Sequence, residues 1–272
     1  MIQGMIMATL IVGAVGFVIG ILLSAAGKKL AVAVDERETT VRSCLPGNNC
    51  GGCGYAGCDG LAAAIVAGEA KVSACPVGGN ECAAQIAKIM GVQAEAVTPM
   101  TAYVKCLGDC KRTGQNYRYT GDEDCRLMPF VPSGGPKTCS YGCMGYGSCV
   151  KICEEGAISI IDGIAVVDES KCIACGKCVR TCPNHLIELV PKKSRVHVQC
   201  NSNSRGKDVM KACEVGCIGC KKCERTCTYQ AIAVENNLAH IDYARCTGCG
   251  MCADVCPRGV IVKTFAAQKQ AM

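Results

Sequence analysis

Apolar and polar positions alternate with three different rhythms along this chain. From Met5 to Ala26 (MIMATLIVGAVGFVIGILLSAA) there are 22 residues without a charge, long enough to cross a hydrocarbon layer as a helix. DGLAAAIVAGEA (59–70) and ECAAQIAKIMG (81–91) carry small and apolar residues in helix-like runs. AISIIDGIAVVD (157–168) and AIAVENNLAHID (231–242) instead alternate around Asp162-Gly163 and Asn236-Asn237. Those are hairpin turn pairs, so each segment predicts two short antiparallel strands.

The first run reads as a membrane anchor rather than a cleaved leader. Small residues at Ser24, Ala25 and Ala26 would suit a cleavage site, but no Lys or Arg precedes the run, whereas Lys28 and Lys29 follow it directly. Basic residues stay on the cytoplasmic side, which predicts a single pass with the bulk of the chain in the cytoplasm. Gly16 and Gly20 form a GxxxG spacing that lets another membrane helix approach. AVAVDERETTVRS (31–43) has the charge of a juxtamembrane linker.

Composition changes the picture most through sulfur. The 272 residues include 27 Cys, against 3 His, 3 Phe and no Trp. The chain is long for a disulfide scaffold, and most cysteines lie two or three residues from another, too close for ordinary bridge geometry. Zinc prefers separated CxxC pairs or mixed Cys/His sets, so a zinc-stabilised membrane scaffold is the weaker metal reading. Cys50, Cys53, Cys58 and Cys75 follow C-x2-C-x4-C-x16-C among Gly51, Gly52, Gly54 and Gly57. Such a Gly-rich loop can aim N–H groups at sulfur, and four soft thiolates suit a [4Fe–4S] group.

An internal repeat is the strongest signal. Adding 74 to Cys139, Cys143, Cys149, Cys153, Cys172, Cys175, Cys178 and Cys182 gives Cys213, Cys217, Cys223, Cys227, Cys246, Cys249, Cys252 and Cys256. Each repeat reads as a two-cluster ferredoxin module, in which the fourth cysteine of each run ligates the other run's group. That rule assigns Cys217, Cys220, Cys223 and Cys256 to one site and Cys246, Cys249, Cys252 and Cys227 to another. In the first repeat it assigns Cys172, Cys175, Cys178 and Cys153. The counterpart of Cys220 is Tyr146, so Cys143, Cys149 and Cys182 lack a fourth ligand. Cys139 is the expected substitute, with a three-iron group as the alternative. These sites use 20 cysteines. Cys106, Cys110 and Cys125 form the candidate core of a sixth site completed by Cys200 or Cys213. Cys82 reads as a small buried hydrophobe, and Cys44 has no assigned role.

The sequence order of membrane helix, LPGNNCGGCGYAGC, CPVGG, VKC, GGPKTC and paired ferredoxin motifs resembles the B subunit of the Rnf complex, over nearly the whole chain and in its long clostridial-type form. The resemblance implies a plasma-membrane protein of bacteria that receives electrons from soluble reduced ferredoxin. It would relay them to other subunits of a ferredoxin:NAD oxidoreductase coupled to Na+ or H+ movement, as an electron-transfer subunit with no organic substrate. The expected architecture is α+β: anchor 1–27, linker 28–43, a [4Fe–4S] domain 44–91, a cysteine-containing connecting segment 92–138, and ferredoxin-like modules 139–198 and 199–272. Five to six [4Fe–4S] groups follow. The competing reading is a polyferredoxin carrier for a hydrogenase, formate or carbon monoxide enzyme. Formal charge is +6, but five oxidised cubanes with their thiolates, at about −2 each, bring the loaded protein to about −4. With 4% aromatic residues and no interleaving of aromatic with basic side chains, nucleic-acid binding is not expected. The basic groups Lys192, Lys193 and Arg195, and Lys221, Lys222 and Arg225, flank candidate sites and suit an acidic donor.

Overall fold

The computed structural model describes residues 2–29 and 35–263. Helix α1 (Ile2–Lys29) has 28 residues, about 42 Å at the usual rise. Its described apolar side chains all face outward, from Leu10 through Phe17 to Leu23. Among the described residues no helix is long and apolar enough to cross a membrane; beyond Ile6, the described side chains of α1 run only from 10 to 26. The flanking Lys28 and Lys29 side chains, and linker residues 30–34, lie outside the described residues.

The linker's second half is helical. Asp35 caps α2 (Glu36–Cys44) by accepting from the Arg37 N–H, and Val41 is completely buried. A polar sequence with one buried valine conceals this helix from a reading by periodicity. α2 packs on α3 (Gly57–Val66) and α4 (Gly79–Met90), whose apolar faces enclose Leu61, Ile65 and Ile86. Gly91, left-handed at φ 66°, ends α4.

Beyond this domain lie four two-stranded ribbons. β1 (Met100–Val104) pairs antiparallel with β4 (Ile187–Pro191), and β2 (Ile158–Ile161) with β3 (Ile164–Val167). β5 (Val196–Val198) pairs with β8 (Ile261–Lys263), and β6 (Ile232–Glu235) with β7 (Leu238–Ile241). The hairpins turn at Asp162-Gly163 and Asn236-Asn237, all four residues at positive φ, as the alternation predicts. Each module therefore closes its first strand on its last. Residues 100–104, in the expected connecting segment, belong to the first ribbon, and 196–198, expected at the end of module one, open the second. Residues 264–272 lie outside the described residues.

Short helices α5 (Ser148–Lys151), α6 (Lys177–Thr181), α8 (Lys222–Thr226) and α9 (Met251–Asp254) lie inside the cysteine runs and each carries one of their cysteines, and α7 (Gly206–Ala212) precedes Cys213. The core of each module combines the ribbons' aliphatic side chains with the cysteines themselves. With no Trp and its described Phe residues exposed, sulfur occupies the space that aromatic rings usually fill.

Candidate metal centres

Three cavities collect the cysteines that the repeat rule groups together. Cys153, Cys172, Cys175 and Cys178 line one, Cys227, Cys246, Cys249 and Cys252 another, and Cys217, Cys220, Cys223 and Cys256 a third. The same sets interact electrostatically. Burial foremost, then Cys172, Cys175 and Cys153, push the Cys178 thiol up to about 12. Cys223 is pushed up to about 11 by burial and by Cys217, Cys220 and Cys256. Backbone N–H groups reach the sulfurs in repeat-related fashion: Ala157 donates to Cys153 Sγ and Ala231 to Cys227 Sγ, both at 3.4 Å. Such bonds favour a thiolate over a thiol.

The fourth set departs from expectation. Cys143, Cys149 and Cys182 share their cavity with Cys125, not with Cys139. Cys125 begins a short 3-10 turn (Cys125–Phe130) capped by Asp124. Ser148 at the start of α5 fixes it there: its hydroxyl accepts from the Cys125 N–H at 2.8 Å and donates to Asp124 Oδ1 at 2.8 Å. Tyr146, standing where the second module has Cys220, packs on Tyr119, which like Cys125 lies in the stretch 105–138, ring centroids 5.9 Å apart. A cysteine delivered from 105–138 thus lines the cavity of the run that has no cysteine at position 146.

Cys139 lies instead on a cavity of about 330 Å³ between the modules, with Cys106, Cys200 and Cys213. The two modules contribute equivalent pairs. Cys139 and Cys213 are 74 apart in the KTC and KAC triplets, while Cys106 and Cys200 are 94 apart, each two residues beyond its module's first strand (VKC, VQC). The N–H of Cys143 donates to Cys106 Sγ and that of Cys217, its repeat partner, to Cys200 Sγ, both at 3.4 Å. Tyr103 and His197, also 94 apart, stack at 4.3 Å. The expected sixth trio is therefore not assembled: Cys106 is here, Cys125 is in the neighbouring cavity, and Cys110 is exposed, its N–H bound to the Asp162 carbonyl in the hairpin turn.

This junction cavity fits an anionic sulfur-rich group. Thr113 Oγ1 is buried without a hydrogen-bond partner, and Thr113 lines it. A threonine hydroxyl can donate to sulfur. Burial pushes the Cys106 thiol up to about 12, with Lys137 acting in the opposite direction.

In the N-terminal domain, burial raises the Cys75 thiol, and Cys58 and Cys53 add to it. Cys75 Sγ accepts from the Gly78 N–H at 3.3 Å, and Asn49 Oδ1 accepts from the Cys58 N–H at 2.8 Å. Cys50 also reaches the cavity of Cys153, Cys172, Cys175 and Cys178, and Arg180 donates to its carbonyl at 3.0 Å. Gly52 is required at this contact, since a Cβ there would stand 2.7 Å from the Cys175 carbonyl oxygen. Cys82 is buried in this domain's core, with Cys44 packed against it.

Among the described residues no three His, Cys, Asp or Glu side chains converge on the position of a single ion.

Fold and thiol sets together define a string of ferredoxin-type iron–sulfur domains. In agreement, an Fe-S cluster family matches residues 45–77, and the 4Fe-4S dicluster domain matches residues 171–231 and 216–260. Over 96% of its length the chain is 47% identical to the B subunit of the Na(+)-translocating ferredoxin:NAD(+) oxidoreductase complex of Acetobacterium woodii, covering 78% of that protein. It is 41% identical to the B subunit of the ion-translocating oxidoreductase complex of Methanosarcina acetivorans, with 92% of this chain and 95% of that one aligned. It is 40% identical to the B subunit of the proton-translocating ferredoxin:NAD(+) oxidoreductase complex of Clostridium ljungdahlii, with 94% and 91% aligned. The chain belongs to the family of B subunits of ion-translocating ferredoxin:NAD oxidoreductase (Rnf) complexes.

Proposed function

We propose that this chain carries electrons from reduced ferredoxin to the other subunits of an ion-translocating ferredoxin:NAD oxidoreductase, along six [4Fe–4S] sites. Each such group supplies one-electron chemistry at a potential set by burial, hydrogen bonds to sulfur and nearby charge. The observation that carries the reading is the contiguity of the thiol sets. Cys50 of the first set (Cys50, Cys53, Cys58, Cys75) borders the second (Cys153, Cys172, Cys175, Cys178). Cys178 acts electrostatically on Cys149 of the third (Cys125, Cys143, Cys149, Cys182). The Cys143 N–H meets Cys106 of the junction set (Cys106, Cys139, Cys200, Cys213), and the Cys217 N–H meets Cys200 from the other side. Cys217, Cys220, Cys223 and Cys256, then Cys227, Cys246, Cys249 and Cys252, continue the series.

Helix α1 is the single membrane anchor in this proposal, its 22 uncharged residues matching a hydrocarbon layer, with Lys28 and Lys29 holding the remainder on the cytoplasmic side. Lys221, Lys222 and Arg225 steer the acidic donor. Lys221 has only a loose carboxylate neighbour, Glu224 at 3.9 Å, which leaves most of its charge to the surface.

Anaerobically purified protein is expected to contain about 24 iron and 24 sulfide per chain, four of each per site. Zinc in place of iron, or iron near eight, would overturn the reading. In stopped-flow bleaching of reduced ferredoxin, Lys221→Glu/Lys222→Glu/Arg225→Glu lowers the association rate about tenfold at low ionic strength and little at high salt. An unchanged rate moves the docking site elsewhere on the chain.

A further inference from the structure

Lys137 is a buried cation without a carboxylate partner among the described residues. Only 4% of it is exposed. Its ammonium donates to the carbonyls of Gly163 at 2.9 Å and Gly108 at 3.2 Å. Two carbonyls take two of the ammonium's three donors and leave its charge unbalanced. Lys105 has Glu188, Lys177 has Glu154 and Lys263 has Asp254, whereas no ion pair among the described residues includes Lys137, the lysine that is buried. Buried charges are ordinarily paired or bound to an ion. The nearby candidates for a negative partner are thiolate sets, since Lys137 lines the junction cavity and acts electrostatically on Cys106, Cys139 and Cys143.

Resting on the six-site reading above, we propose that Lys137 is a built-in counter-charge that raises the reduction potential of the groups held by the junction set and by Cys125, Cys143, Cys149 and Cys182. The sign follows from charge. Each reduction adds one electron and one negative charge to the site, so a fixed positive charge stabilises the reduced form more than the oxidised one. The low-dielectric surroundings keep that difference large. Lys137 thereby makes the crossing between the modules a favourable place for an electron. The repeat provides an internal control: Lys211, 74 residues on and likewise two residues before a junction cysteine, lines the same cavity but is exposed, so that water screens its charge.

Redox titration of the full-length, detergent-solubilised protein followed by electron paramagnetic resonance tests this, with the two signals assigned through their loss in Cys139→Ser and Cys125→Ser. In Lys137→Met both midpoints should fall, with the reduced-to-oxidised ratio at the wild-type midpoint dropping at least tenfold, about 59 mV for one electron. Lys211→Met should change it less than twofold, and Lys137→Arg should stay near wild type. Lys137→Gln keeps a donor without the charge and should behave as Lys137→Met does; wild-type midpoints in either neutral variant would overturn the proposal. If both neutral variants lose iron while Lys137→Arg retains it, a positive charge is required opposite these sites and the proposal stands; loss in Lys137→Arg as well overturns it. Iron near 20 instead of 24 in the wild type would count against the junction site alone, and the signal lost in Cys125→Ser would then report on Lys137.

Discussion

The two ferredoxin modules share a repeat of 74 residues but solve the same ligand problem differently. The second is compact: Cys220 stands in the run itself, and 12 residues separate Cys200 from Cys213. The first spends 32 residues between Cys106 and Cys139, and that excursion returns Cys125 to the cavity where Tyr146 stands in place of the run's own cysteine. A four-thiol site therefore specifies the positions of its sulfurs, not their order in sequence. The excursion also carries the first module into the second, where Thr113 bridges Cys213 in antiparallel fashion; Gln115 bridges Lys137 within the excursion itself.

The largest effect expected from this comparison is the exchange of ligands. Cys125→Ser in the first module and Cys220→Ser in the second should each remove one electron paramagnetic resonance signal. Adding Tyr146→Cys should restore the signal lost in Cys125→Ser, because position 146 is the repeat equivalent of Cys220. It should not restore the signal lost in Cys139→Ser, since Cys139 faces the junction cavity. Rescue of Cys139→Ser instead would return Cys139 to the set of Cys143, Cys149 and Cys182.

Why the exchange escaped the sequence is physical. The 74-residue offset exposes every ligand that sits in a run, and the turn pairs at Asp162-Gly163 and Asn236-Asn237 fix the hairpins, so three of the four module cavities were legible. The junction was half legible. Cys139 and Cys213 obey the offset, but Cys106 and Cys200 obey 94, and only the strands preceding VKC and VQC reveal that they are equivalent. Cys125 has no repeat partner; its place depends on the Ser148 hydroxyl and the Asp124 cap, which are tertiary contacts. Helix α2 was hidden because a mostly polar helix needs just one buried residue, Val41, to dock.

A second, smaller effect separates the equivalent positions Tyr103 and His197. His197 is fully buried between Tyr103 and Tyr243, and its Nδ1 lies 3.0 Å from the Tyr243 hydroxyl while its Nε2 lies 3.2 Å from the Ser194 carbonyl. Burial lowers its pKa from about 6.5 to about 4. The unfolded chain then binds a proton that the folded chain refuses between those values. Stability is full above pH 6.5 and is lost as pH falls towards 4, by at most about 3 kcal/mol. His197→Tyr, which copies Tyr103, should remove this part of the acid sensitivity. Chemical denaturation at pH 7 and pH 5 measures it; an equal loss in both proteins on acidification would show that His197 does not titrate between them.

The smallest effect discriminates two glycines that the repeat makes equivalent. Gly145 and Gly219 each lie against the hairpin turn of their own module, facing Gly163 and Asn237. Both have positive φ, 83° and 65°, so any side chain there is strained by about 1 kcal/mol or more. The difference lies in the room available. A Cβ at Gly145 would stand 2.6 Å from the Gly163 carbonyl oxygen, whereas at Gly219 it would stand 3.1 Å from that of Asn237. The first contact forces the turn to move, and that turn carries the carbonyl on which Lys137 is held. The second yields by a few tenths of an ångström. Gly145→Ala should therefore destabilise its module by about 1–2 kcal/mol more than Gly219→Ala destabilises its own. Hydrogen exchange at β2–β3 and β6–β7 reads the two modules separately in one molecule. Equal loss of protection in both hairpins would mean that the first turn relaxes as readily as the second, and that the excursion leaves the packing of its module unchanged.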